Sequence, residues 1–231
     1  MRLDDGSTAI CLLAWERRLG FPDGALAAAQ DRLLKRDDGA QVLQFVRLWG
    51  RSALSGPGWV LEAARNFSDD QLADHAALLG LSRDHGGHGL GTTSLYFADD
   101  LPLLQPADQV TVSHGRAELA ELESLCPPDD VNEAGLGDLE QRFTVMHDGG
   151  PIACGAYTEW QGILAQLRVL VAPAHRGRGL GTLAASIAAH EALATGLTLQ
   201  WQTDVSNFAA NALARSLGFS WAGTQTAILL R

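Results

Sequence analysis

Several common classes are excluded by what this sequence has little of. It holds three cysteines, Cys11, Cys126 and Cys154, far apart and with no Cys-x-x-Cys pair. They read as reduced, mostly buried thiols of a reducing compartment, and no zinc pattern is completed. Long apolar runs are missing too. Ala9 to Trp15 is apolar but short, and it follows Asp4 and Asp5. Neither a signal peptide nor a transmembrane helix is expected, no membrane partner follows, and a cytoplasmic location is. Positive charge is scarce, with 17 Lys and Arg against 27 Asp and Glu and a formal net charge of -10. Nucleic acid is thereby excluded as the main partner, because phosphate backbones need a broad basic surface. A small anion held by a local basic loop is not excluded, and a cationic acceptor such as an amine suits the overall charge.

What is present is enough apolar material for a folded core, 46% of 231 residues. That length suits one large domain or one domain with a smaller partner. Ser7–Arg18 and Asp23–Lys35 read as helices, with Ser7 and Asp23 as N-caps and Gly20 between them. "QVLQFVRLW" reads as a strand, Val60–Arg65 as strand or helix, "SDDQLADHAALLGL" as one helix capped by Ser68, and "TTSLYFADD" as a strand. The proline-bearing "LPLLQPAD" sets a boundary near residue 107, giving an N-terminal α/β region 1–107 and a second domain 108–231. In the second domain "VTVSH" is a strand, Ala117–Leu125 a helix closed by "PPDD", and Glu140–His147 a strand. Ile152–Trp160 and Ile163–Val171 form a hairpin joined near Gln161 and Gly162. A helix from about Gly179 to Ala194, the strand "LTLQWQT", a helix Asn207–Leu217 and a last strand "TAILL" complete a mixed α/β layer.

The stretch that carries chemistry is "VAPAHRGRGLGTLAA". A strand ends, the chain turns through three glycines and two arginines, and a helix begins. A helix N-terminus presents unpaired N–H groups and a partial positive charge. Glycine lets an anion approach those groups without a Cβ in the way. Arg176 and Arg178 can add charge-assisted hydrogen bonds, and the ligand expected is a pyrophosphate. The loop is neither of two familiar phosphate motifs. The Walker loop needs a lysine that Gly181-Thr182-Leu183 lacks, and "GRGLGT" does not have Gly-x-Gly-x-x-Gly spacing. The missing lysine also counts against a nucleotide-binding protein.

"VLVAPAHRGRGLGTLA" resembles the coenzyme A loop of the GNAT superfamily of N-acetyltransferases, with Arg176, Gly179 and Gly181 on its signature positions. Downstream, "NFAANALARSLGF" resembles the Asn-x-x-Ala…Leu-Gly-Phe helix of the same family through Asn207, Ala210, Leu217, Gly218 and Phe219. The resemblance covers about residues 108–231. It implies an acetyl-coenzyme A-dependent N-acetyltransferase fold with an additional N-terminal region, and an opening between Ile163–Val171 and Leu197–Thr203 that admits acetyl-coenzyme A. Backbone groups of Val169, Leu170 and Val171 would pair with the pantetheine arm. The N–H groups of Arg176, Gly177, Arg178, Gly179, Leu180, Gly181 and Thr182 would hold the pyrophosphate, and Asn207 would bond the pantetheine region. An amine would then attack the thioester directly, with a strand N–H near Val171 stabilising the oxyanion.

Two positions depart from the family pattern. Many members carry a tyrosine acid seven residues after the asparagine, where this chain has Ala214, and a glutamate base eleven before the loop arginine, where it has Ala165. The rival reading is therefore a non-catalytic acyl-coenzyme A sensor. Glu159, at the hairpin end, is the candidate base, against a solvated charge. Asp204 can bind a cationic acceptor or simply make a turn. "HGGHGLGT", His85–Thr92, echoes "HRGRGLGT", so the N-terminal region is either a degenerate half of the same fold or an unrelated addition with a chance echo. Asp84, His85 and His88 complete no metal pattern, and no metal is expected. Trp49 and Trp59 can wall an acceptor pocket or merely pack. A homodimer is compatible with the sequence and not specified by it.

Overall fold

A computed structural model of the chain describes residues 3–104 and 110–230. The elements in chain order are α1 (Asp5–Leu19), α2 (Ala25–Ala28), β1 (Leu33–Arg36), β2 (Val42–Leu48), β3 (Arg51–Gly56), α3 (Gly58–Ala63), α4 (Asp69–Ala73), α5 (His75–Leu81) and β4 (His88–Ala98). There follow β5 (Thr111–Ser113), α6 (Arg116–Ser124), α7 (Pro128–Ala134), β6 (Gln141–His147), β7 (Gly150–Trp160), β8 (Leu164–Val171), α8 (Leu180–Ala194), β9 (Thr198–Asp204), α9 (Phe208–Leu217) and β10 (Ser220–Leu229). The chain divides into two compact units, each discontinuous in sequence. One holds Phe97–Trp201 and Ala212–Phe219; the other holds Asp4–Tyr96, Gln202–Asn211 and Ser220–Arg231. The boundary expected near residue 107 falls outside the described residues. A single cut there would not separate these units, since 202–211 and 220–231 group with N-terminal residues.

In the unit that begins at Asp4, strands follow the order β1-β3-β2-β10-β4. β2 and β3 are antiparallel, β1 runs parallel to β3, and β10 runs antiparallel to β2 from Leu48↔Gly223 to Val42↔Leu229. Leu43, Phe45, Leu54, Val60, Leu72, Leu78 and Ile228 form its core. Sequence reading and structure part here in three places. The N-cap of α1 is Asp4, which accepts from Ser7 N–H at 2.6 Å, so Ser7 lies inside the helix. The helix expected over Asp23–Lys35 is only the short α2, followed by strand β1. Buried Glu16 explains the change, because its carboxylate accepts from the N–H groups of Gly24, Leu26 and Ala27 and fixes α2 where it stands. Arg32 is then drawn to Asp69 and the Phe67 carbonyl, and tertiary bonds override helix propensity. Third, the helix capped by Ser68 is two helices, because Asp74 adopts extended geometry and caps α5 through Ala77 N–H.

In the other unit the order is β9-β8-β7-β6-β5. β5, β6, β7 and β8 are successively antiparallel, and β8 runs parallel to β9. One face of this layer is covered by α6 and α7, through Leu119, Leu122, Ala134, Leu136, Cys154, Ala156 and Leu170. The opposite face is covered by α8, through Val145, Ile152, Ala153, Ala184 and Leu183. "PPDD" does not merely close a helix. Pro128 sits at the start of α7, where its missing N–H costs nothing. The last strand is also longer than "TAILL", running Ser220–Leu229.

Alanines let α8 lie close to the sheet, and one glycine is indispensable there. A Cβ on Gly155 would collide with the backbone carbonyl of Ala184. Gly155→Ala is expected to lower stability by about 1–3 kcal/mol, as overpacking does. Gly137→Ala, whose added methyl has room beside Glu123, is the control expected to change little. Thermal melts of the two variants check this, and equal melting points would contradict the packing.

Candidate functional site

The site is built where β8 and β9 part. They pair only at Leu164↔Thr198, Ala165↔Leu199 and Gln166↔Gln200. On its other side β8 stays paired with β7 all the way to Ala153↔Val171. So β8 continues past Gln166 with one edge that is not paired with β9. Two buried amides close the end of the pairing. Gln200 Nε2 donates to Gln166 Oε1 at 2.9 Å, and Gln166 Nε2 donates to the Leu167 carbonyl at 3.2 Å.

After Val171 the chain passes through a 3₁₀ turn, Pro173–His175, into the glycine loop. Gly177 and Gly179 have φ of 73° and 77°, values that a side chain would disfavour, and they aim the loop into α8. The first bond inside α8 runs from Leu183 N–H to the Gly179 carbonyl at 3.0 Å. The N–H groups of Leu180, Gly181 and Thr182 therefore precede the intrahelical ladder and look outward for acceptors. Val169 and Val171 lie on the α8 face of β8, where a side chain at Gly181 would touch both of them and Leu213. Leu170 points the other way, into the α6 and α7 core.

The two loop arginines differ. Arg176 is committed within the protein: its Nε donates to the Val171 carbonyl at 3.2 Å and its Nη2 pairs with Asp130 of α7. Arg168 ties α7 to β8 in the same manner, donating to the Ala134 carbonyl at 3.1 Å. Arg178 is exposed and has no ion pair among the described residues. It is the loop cation ready for an anionic ligand, whereas Arg176 holds the loop's entry. Nothing in the sequence signalled Asp130, which is 46 residues away.

The remaining predicted residues are scattered. Glu159 is exposed and pairs with Ala165 across the hairpin, whose turn has Gln161 and Gly162 at φ of 56° and 72°. Asn207 belongs to the other unit, where its Oδ1 accepts from Ala210 N–H and caps α9. Asp204 makes a turn, as its Oδ1 accepts from both Ser206 N–H and the Ser206 hydroxyl; those bonds hold its carboxyl below the usual range. Ala165 and Ala214 are both fully buried, so a tyrosine at 214 would meet packed atoms and not an open gap. In the other unit His85 stacks on Trp59 with ring centres 3.6 Å apart, beside a cavity of about 400 Å³ that does not include Trp49. The "HGGHGLGT" echo leads into strand β4 and not into a helix, so it makes no anion cradle. Among the described residues no three His, Cys, Asp or Glu side chains are grouped to hold a metal ion, and no helix is long and apolar enough to cross a membrane.

Residues 111–219 match the sequence profile of the acetyltransferase (GNAT) family. Residues 111–219 carry a GNAT acetyltransferase domain. Solved structures agree on the fold. A GNAT-family protein from Novosphingobium aromaticivorans is 23% identical, with a TM-score of 0.50 over 63% of this chain and 68% of its own. An acetyltransferase of the GNAT family from Colwellia psychrerythraea is 21% identical, with a TM-score of 0.50 over 66% of this chain and 60% of its own. A GCN5-related N-acetyltransferase from Kribbella flavida is 19% identical, with a TM-score of 0.51 over 66% and 63%. This chain thus spans about 60–68% of the length of these relatives, and likeness at such identity concerns the fold alone. No curated protein matches the sequence.

Two thiols of the GNAT domain are poor nucleophiles. Burial pushes the Cys154 thiol up, and burial likewise pushes up Cys126, against the pull of nearby Arg176. A raised pKa means the thiol stays protonated at neutral pH. Alkylation of Cys126 and Cys154 in the native protein by iodoacetamide should be slower at pH 7 than that of the same thiols in the unfolded chain. A cysteine labelled rapidly at pH 7 would show an activated thiolate.

Proposed function

We propose that this chain transfers an acetyl group from acetyl-coenzyme A directly to an amine. The observation that carries the reading is the early end of the β8–β9 pairing directly before a glycine loop at a helix N-terminus. The free edge of β8 offers backbone groups at Val169, Leu170 and Val171 to the amides of an extended pantetheine arm. The N–H groups of Gly177 to Thr182, with Arg178, face the pyrophosphate.

The reaction needs little from side chains. The amine nitrogen attacks the thioester carbonyl carbon, and a β8 N–H just past Gln166, at the end of the arm far from the loop and not near Val171, stabilises the oxyanion that forms. The C–S bond then breaks and the thiolate leaves. A thiol with a pKa of about 8.5 is a tolerable leaving group and takes its proton from water. The amine's proton also passes to water, and we route it by way of exposed Glu159. Thiols pushed up by burial at Cys126 and Cys154 suit this path better than an acyl-enzyme.

The buried alanines at 165 and 214 favour a second reading, an acyl-coenzyme A sensor that binds without turnover. Steady release of free coenzyme A in the presence of an amine panel separates the two, since a sensor releases none.

Binding is tested by titration calorimetry with acetyl-coenzyme A. Arg178→Glu should weaken it about tenfold or more, because a charge-assisted contact is replaced by repulsion. Equal affinity in wild type and variant would remove the pyrophosphate from this loop.

A further inference from the structure

We infer that the indole N–H of Trp201 donates a hydrogen bond to the acyl carbonyl of the thioester substrate. This rests on reading the opening as the acyl-coenzyme A site. Trp201 is 5% exposed, and its Nε1 has no hydrogen-bond partner. Buried donors are nearly always satisfied, so one that is not calls for an explanation. Among the described residues three other buried side-chain atoms share that state, on Glu118, Arg142 and Thr144, and these lie on α6 and β6. Trp201 differs in place: it directly follows Gln200, the last residue of β9 paired with β8.

Its direction follows from strand alternation. Ala165 and Leu199 are register partners, so Trp201 shares a face with Leu199 and with Ala165, Leu167, Val169 and Val171 of β8. That row of β8 runs to the glycine loop, ending where Val169 and Val171 approach Gly181. The ring itself is held edge-on by Phe219, with centres 6.1 Å apart. Position along the opening names the part of the ligand. A strand rises about 3.3 Å per residue, so Gln166 stands about 17 Å from Val171. An arm anchored by its pyrophosphate at the loop therefore brings its far end, the thioester, towards Gln200 and Trp201. A neutral N–H there suits a carbonyl oxygen and gains strength as that oxygen becomes negative.

The test uses the full chain, as wild type and Trp201→Phe, titrated with acetyl-coenzyme A and separately with free coenzyme A. The phenyl ring keeps an aromatic side chain beside Phe219 and removes the N–H together with the fused ring, so the comparison of the two ligands carries the test. Acetyl-coenzyme A should bind the variant about three- to tenfold more weakly, the loss of one ordinary hydrogen bond, and coenzyme A should bind unchanged. The ligand-free variant should melt somewhat lower than wild type, because the smaller ring leaves a cavity at a buried position. Unchanged affinity for acetyl-coenzyme A would overturn the assignment, as would equal losses for both ligands. Wild type that binds acetyl-coenzyme A while the variant matches it sinks this inference alone; wild type that binds neither ligand sinks the site as well. Indole ¹⁵N–¹H spectra of the wild type give the same test without a variant. One of the six tryptophan resonances should move downfield with acetyl-coenzyme A and not with coenzyme A, and spectra without such a shift overturn the proposal.

Discussion

The GNAT domain depends on a strand pairing that stops. Three residue pairs hold β8 to β9, and then the two strands go separate ways. Had the ladder continued, the β8 edge would be spent on β9 and nothing could bind there. What makes the stop tolerable is local. The Gln166–Gln200 amide pair closes the end of the ladder with side-chain bonds, and β7 keeps β8 straight from behind. At the other end Arg176 and Arg168 tie the end of β8 to α7, so the free edge is braced at both ends.

Much of this was legible in the sequence, and for physical reasons. The glycine loop was readable because only glycine tolerates φ near 75°, which Gly177 and Gly179 adopt. The hairpin was readable because apolar residues on either side of Gln161–Gly162 alternate with the strand period. What could not be read depends on partners far away in the chain. Glu16 converts an expected helix at Asp23–Lys35 into α2 and β1 by capturing three N–H groups, and no pattern within 23–35 reports that. Arg176 was expected to add its side chain to a pyrophosphate site; in the structure it pairs with Asp130, while Arg178 has no ion pair among the described residues. The glutamines at 166 and 200 offered a signal that was passed over: amides in otherwise apolar strands mark buried polar contacts.

The chemistry inferred is accordingly spare. Where relatives of this fold are expected to carry an acid and a base, this chain packs methyl groups into full burial at 165 and 214. Burial pushes the thiols of Cys126 and Cys154 up. On the proposed reading the catalytic contribution left to the protein is positional and electrostatic: an extended arm held along a strand edge, a carbonyl oxygen placed against N–H groups, and solvent to carry protons. Such a site draws its rate from orientation and from preorganised donors.

The claim that the β8 edge and the glycine loop together receive a coenzyme A thioester is tested most directly by amide hydrogen exchange with and without acetyl-coenzyme A. The account predicts slowed exchange confined to peptides covering Leu167–Val171 and Gly177–Thr182, since the loop N–H groups and those of β8 that face away from β7 gain acceptors from the ligand. Protection elsewhere in the chain with these two segments unchanged, or saturating ligand with no protection at all, would contradict it.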